Sequence, residues 1–186
     1  MCRKTDYNLF LVGYLCWIHL FCTTNAYQLL VTVIGVSGSQ NLIMYRLAEY
    51  LGERGHEVTI LKGNVFPEAQ TIPLKYATEL TYDLISNPDS LQQLQSTLYK
   101  MPWEIQDTDP MPIGLISDIF SQILAGCQTI IKDDKFIEKL KNKNFDAIVL
   151  HTVDFCGFGL TQVLKNPSYI WFSSAFLIDP MAWYSG

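Results

Sequence analysis

Apolar residues along this chain come in two rhythms. Residues 29–34, Leu29-Leu30-Val31-Thr32-Val33-Ile34, are nearly continuous and β-favouring, which predicts a strand buried on both faces. Turn-formers follow at Gly35, Ser37, Gly38 and Ser39. The period then lengthens, with Ile43, Leu47, Tyr50 and Leu51 at i, i+4, i+7 and i+8, so one helical face is predicted as apolar. Gly55 ends that helix, and residues 56–61 read as a second strand. Strand, glycine-bearing turn, helix and strand make a βαβ unit with a right-handed crossover.

The middle of the chain is broken by Pro67, Pro73, Pro88, Pro102, Pro110 and Pro112. A short strand over 72–77 and a helix over 89–99 are the elements predicted there. Helical spacing returns over 113–131, where Ile116, Ile119, Phe120, Ile123 and Leu124 predict a buried face. A second helix over 133–141 buries Phe136, Ile137 and Leu140. Residues 145–150 then read as a buried strand ending at His151. A helix over 157–164 leads past Pro167 to a strand over 169–172, ending at Ser173 and Ser174. Strands alternating with helices predict an α/β fold with a doubly wound parallel sheet.

The amino terminus has a different character. Arg3 and Lys4 precede an apolar stretch over 9–22, and Thr24 and Ala26 suit the −3 and −1 positions of a signal peptidase site. Residues 1–26 are therefore expected to be a signal peptide, its apolar run too short to span a bilayer. Residues 27–186 form the mature lobe, long enough for one domain with a proper core. Removing Arg3, Lys4 and Asp6 makes the formal charge of −5 one unit more negative, and an acidic domain without a basic stripe argues against nucleic acid as a partner. Hydrophobic content of 49% excludes a disordered chain. Of five cysteines only Cys127 and Cys156 lie in the mature part, too few for a disulfide scaffold or a zinc site. Two separately buried thiols are expected, although the pair could also bond in an oxidising lumen. Asn87 and Asn166 are each followed by proline, so no N-glycosylation sequon is present.

In a doubly wound sheet, ligands bind where loops converge at the carboxyl ends of the strands. The loops over 35–41, 151–157 and 173–179 qualify, and the first opens a helix whose free N–H groups favour a polar or negative atom. Gly35-Val36-Ser37-Gly38-Ser39 does not complete a dinucleotide fingerprint: the third glycine is missing, and Lys62-Gly63 rather than an acidic residue follows the second strand. No metal is expected. His56 falls in a helix-to-strand turn away from the strand ends and reads as structural. Asp146 lies at the wrong end of its strand to react and reads as a buttress. Among Phe155, Phe158, Trp171, Phe172 and Phe176, only Phe155 and Phe176 fall in strand-end loops, where they can line a pocket.

Three segments together carry a resemblance: 39–61 (SQNLIMYRLAEYLGERGHEVTIL), 127–150 (CQTIIKDDKFIEKLKNKNFDAIVL) and 154–179 (DFCGFGLTQVLKNPSYIWFSSAFLID). In this order, behind a signal peptide, they resemble the amino-terminal half of the UDP-glycosyltransferases, the family of the UDP-glucuronosyltransferases, in its nematode type. The resemblance implies one Rossmann-like lobe of a two-lobed GT-B fold. It holds a small lipophilic acceptor, while the other lobe holds the UDP-sugar. It also implies an endoplasmic reticulum setting, with full-length relatives anchored in the membrane and this chain lumenal or secreted once its signal is removed.

In the family a histidine at the start of the first helix takes the acceptor's hydroxyl proton, and an aspartate at a strand end orients it. Here those positions hold Gln40 and His151, and Gln40 cannot accept a proton near neutral pH. Three readings follow. The pair is a remnant and the lobe does not catalyse; or His151 is the base, oriented by Asp154 or Gln40; or deprotonation does not limit this acceptor. Gly38, Ser39, Asn41, Phe155, Ser173, Ser174 and Phe176 are the expected acceptor-binding residues. The UDP-binding signature and membrane helix would follow Gly186, so the resemblance implies a lobe without its own donor site and, in itself, without a cofactor. A non-catalytic lumenal module that binds an acceptor, or associates with full-length relatives, is the alternative.

Overall fold

The computed structural model describes residues 26–34, 38–65, 72–85, 96, 113–152, 154–165 and 168–173. Five strands, β1 (Gln28–Ile34), β2 (Glu57–Asn64), β3 (Ala77–Asp83), β4 (Ala147–His151) and β5 (Tyr169–Phe172), form one sheet in the order β3-β2-β1-β4-β5. All four pairings are parallel. The sheet is wound both ways from β1, so the predicted doubly wound architecture is the observed one. The helices are α1 (Gly38–Glu53), α2 (Ile113–Ile131), α3 (Asp134–Lys141) and α4 (Phe155–Val163).

Alternation along the strands divides the core between two faces. Leu29, Val31, Val33, Val58, Ile60, Ala77 and Val149 pack with Met44, Tyr45 and Ala48 of α1. Leu30, Leu61, Ile148 and Leu150 point the other way, onto Ile137 and Leu140 of α3 and Leu160 of α4. Beside that second layer, α2 contributes Ile123, Cys127 and Ile130 to a cluster with Val65, Leu84 and Cys156. α1 ends where Gly55 adopts φ +90°, a conformation that costs glycine little and lets the chain reverse into β2.

Four expectations need correction. The buried face of α1 is turned by about one residue from the predicted one: Asn41, Met44, Tyr45 and Ala48 are buried, Leu47 and Leu51 pack at its margin, and Ile43 and Tyr50 are exposed. In α2, likewise, Ile123 is buried but Phe120 and Leu124 are exposed. The strand expected over 72–77 instead begins at Ala77, because Glu49 accepts the backbone N–H groups of Lys75, Tyr76 and Ala77 at 2.9–3.0 Å and holds the approach to it. Burial opposes ionisation there, yet these three donors still hold the Glu49 carboxyl below its ordinary pKa. Finally, Cys127 and Cys156 are not separate thiols: they form a disulfide joining α2 to α4, with Cα atoms 5.5 Å apart. Spacing along the sequence carried no sign of this, since the pairing exists only once both helices dock on the same face. Apart from Ser96, the helix expected over 89–99 lies outside the described residues, as does the signal segment before Ala26.

Candidate active site

The winding of the sheet reverses between β1 and β4, and a crevice is expected outside their carboxyl ends. Register fixes what borders it. Thr81, Lys62 and Val33 lie level across β3, β2 and β1. Two residues beyond the Val31–Val149 pair, Val33 comes level with His151, which in turn pairs with Phe172. One transverse row, Thr81–Lys62–Val33–His151–Phe172, therefore crosses the carboxyl edge on the face that α1 covers. Because β1 leads into α1, the first turn of that helix starts from the same edge.

That first turn holds Gly38, Ser39, Gln40 and Asn41 and no acidic residue. Its four leading N–H groups have no partner within the helix, and the helix dipole adds partial positive charge. Gly38 and Ser39 are exposed, Gln40 is half-buried and Asn41 is buried. His151 is 5% exposed, with its ring 6.4 Å from that of Phe172. Burial lowers its pKa, so the neutral imidazole prevails at neutral pH. The predicted candidates Gln40, in the first turn of α1, and His151, ending β4, thus both belong to the carboxyl end of the sheet on the side that α1 covers. Ser173 follows β5 directly and is half-buried, whereas Ser174 and Phe176 lie outside the described residues.

Asp154 has another role from the one considered for it. Its Oδ1 accepts the Gly157 N–H at 2.8 Å, making it the N-cap of α4. Its carboxylate sits beside Thr32, whose side chain belongs with Leu30 to the face opposite α1. A Cβ on Gly157 would lie 2.7 Å from both Asp154 Oδ2 and Thr32 Oγ1, so only glycine fits there. Asp154 is 1% exposed, and among the described residues its Oδ2 has no hydrogen-bond partner. Burial raises its pKa against the pull of neighbouring donors. Asp154 therefore organises its own helix rather than orienting His151.

Phe155, expected to line a pocket, is 49% exposed at the start of α4. Sequence reading missed its companion: Phe120, assigned to the buried face of α2, is 39% exposed and meets Phe155 edge-to-face at 5.7 Å. Phe158 and Trp171 pack edge-to-face at 5.1 Å, a core arrangement. Lys62, on the same transverse row, is 5% exposed near the end of β2. His56 and Asp146 lie at the opposite end of the sheet. His56 Nδ1 accepts the Tyr27 N–H at 3.3 Å, and Asp146 accepts the Gln28 N–H at 2.7 Å, so both are structural as expected. Among the described residues no cluster of His, Cys, Asp or Glu could hold a metal, and no helix is long and apolar enough to cross a membrane.

This is a Rossmann-like lobe whose parallel sheet reverses its winding between β1 and β4. The family model described as UDP-glucoronosyl and UDP-glucosyl transferase matches residues 29–179. The chain belongs to that family. It is 28% identical to human UDP-glucuronosyltransferase 1A9 over 142 residues, covering 74% of this chain and 26% of the relative. A mouse UDP-glucuronosyltransferase 2A3 is 28% identical over 166 residues (82% and 29%), and the putative UDP-glucuronosyltransferase ugt-47 of Caenorhabditis briggsae is 29% identical over 159 residues (84% and 27%). The chain thus matches between about a quarter and a third of these relatives' length.

Proposed function

We propose that this lobe is the acceptor-binding side of a GT-B glycosyltransferase, one that passes a glucuronosyl or hexosyl unit from a UDP-sugar to the hydroxyl of a small lipophilic acceptor. What supports this is family membership over residues 29–179 together with the position of Gln40 and His151 toward the carboxyl end of the sheet, and the exposed aromatic pair Phe120–Phe155 at the start of α4. The donor's site belongs to a second lobe. In this reading the acceptor's apolar body rests on the aromatic side chains, and its hydroxyl approaches the first turn of α1. The Gln40 side chain can donate a hydrogen bond to that oxygen or accept one from it, but cannot remove its proton. Binding and orientation are then what this lobe supplies. The Cys127–Cys156 bond supports an oxidising compartment such as the endoplasmic reticulum lumen.

A second reading has a specific observation in its favour. Burial lowers the pKa of His151 and keeps its imidazole neutral at neutral pH, the protonation state a general base starts from. Calorimetry on the full chain separates the lobe assignment from its rivals: a phenolic aglycone should bind measurably and a UDP-sugar should not. Tight UDP-sugar binding would sink the assignment. With the donor lobe of a relative fused to the chain, Gln40→His should raise transfer to a phenol by about 10²–10⁴-fold. High transfer by the unmodified fusion, abolished in His151→Gln, would instead establish His151 as the base.

A further inference from the structure

A surface cavity of about 350 Å³ lies between the outer side of α1 and residues 72–76, the approach to the amino end of β3. A cavity of that size can hold a small organic molecule. One wall is a single stripe of α1, Arg46, Glu49, Tyr50 and Glu53, at i, i+3, i+4 and i+7. Ile72, Pro73 and Tyr76 form the wall opposite. The charged groups here differ in what already holds them. Glu49, the helical neighbour with which Arg46 would ordinarily pair, is spent instead on the backbone N–H groups of Lys75, Tyr76 and Ala77. Glu79, behind Tyr45, is engaged by the Tyr45 hydroxyl. Glu53 shares the field of Lys75. Arg46 is exposed, and among the described residues no hydrogen bond or ion pair reaches its guanidinium.

The aromatic rings narrow the choice of ligand. Arg54 lies over the Tyr50 ring, its Cζ 3.3 Å from the centroid, and Lys75 Nζ lies 4.7 Å from the centroid of Tyr76. A cationic ligand would therefore meet rings and carboxylates that the chain's own cations already serve. An anion meets the open fork of Arg46, which matches a planar carboxylate with two parallel hydrogen bonds. We propose that this cavity is a second ligand site, taking a flat apolar monocarboxylate whose charge rests on Arg46 and whose body lies against Ile72, Pro73 and the two exposed tyrosines. Glu53, two turns along α1 and so about 10 Å further, repels a second negative charge. The site is separate from the acceptor crevice, because none of its residues belongs to the carboxyl edge of the sheet.

The test uses calorimetry on the full chain at low salt, with 2-naphthoate and 2-naphthamide. The two share a ring system, lack a hydroxyl to be glycosylated, and differ in charge. The acid should bind about fivefold tighter than the amide, the upper end for an exposed ion pair. That preference should shrink on adding salt and fall below about twofold in Arg46→Met. Glu53→Gln should act in the opposite sense, tightening the acid by about twofold and leaving the amide unchanged, which a damaged fold would not do. Equal binding of acid and amide by the unmodified chain, or binding of neither, would overturn the proposal without needing any variant to fold. So would a preference that survives in Arg46→Met, or displacement of naphthoate by excess 4-nitrophenol, which would put it in the acceptor crevice instead. If phenols fail to bind at all while naphthoate behaves as expected, the acceptor-side assignment falls and this site stands.

Discussion

The two ends of the sheet treat their polar groups differently. At the amino edge every singled-out group is answered. Asp146 takes the Gln28 N–H and gives its own to the Gln28 carbonyl, both at 2.7 Å; His56 takes the Tyr27 N–H; the Gln28 side chain bonds Glu57. At the carboxyl edge Asp154 Oδ2 is buried with no hydrogen-bond partner among the described residues. Buried polar groups are normally paired, so an end that is fully paired is serving the fold. The end that tolerates an unpaired group is where a ligand can supply the missing partner. Both ends are built from the same five strands.

Breaking the carboxyl half should cost most. Replacing Cys127 and Cys156 by alanine opens a loop with a sequence separation of 29, and urea unfolding should show about 3–4 kcal/mol lost. Ligand affinity should weaken as well, since α4 carries Phe155. At the amino edge, Asp146→Ala should cost about 1–3 kcal/mol by leaving the Gln28 N–H unanswered, with phenol binding unchanged. Coupled losses of stability and binding in that variant would erase the contrast between the two ends.

Asp154 sharpens the contrast further. Asp154→Ala should lose about 1 kcal/mol of helix capping. Asp154→Asn keeps an oxygen for Gly157, offers an N–H₂ where Oδ2 now lacks a partner, and removes a buried charge. It should be neutral or stabilising at pH 7 in thermal melts.

The smallest effect is in pH dependence. The folded pKa of His151 lies below its ordinary value of 6.5, so between the two the unfolded chain binds more protons. Stability must therefore fall as pH drops through 6.5, and the difference between the unmodified chain and His151→Gln should track that fall. Asp154, with its pKa raised, works in the opposite sense: above pH 3.8 its folded form holds the proton longer, and stability declines as pH rises toward the raised value. Comparing each variant with the parent keeps the two apart.

Much of this was legible in the residues. The uninterrupted apolar runs at 29–34 and 145–150 identify central strands because burial on both faces leaves no room for alternation. Gln40 and His151 could be placed because strand ends and helix starts are local features. What escaped was rotational or long-range. α1 turns Tyr45 inward to reach Glu79, an interaction 34 residues away that no helical period encodes. Phe120 looks like a core residue in any periodicity, and only the docking of α2 against α4 sets it beside Phe155. The start of β3 depends on Glu49, a charged residue on another element, and the disulfide depends on two helices sharing a face.

The strand order also has a consequence in time. β1, at the centre of the sheet, pairs early with β2, but its other flank is closed by β4, whose contact from Gln28 to Asp146 spans 118 residues. At about 5–20 residues per second of synthesis, that flank waits roughly 6–24 s for its neighbour. Throughout that interval the most apolar strand of the lobe has an open side, so folding in the cell depends on keeping that one side from pairing with anything else.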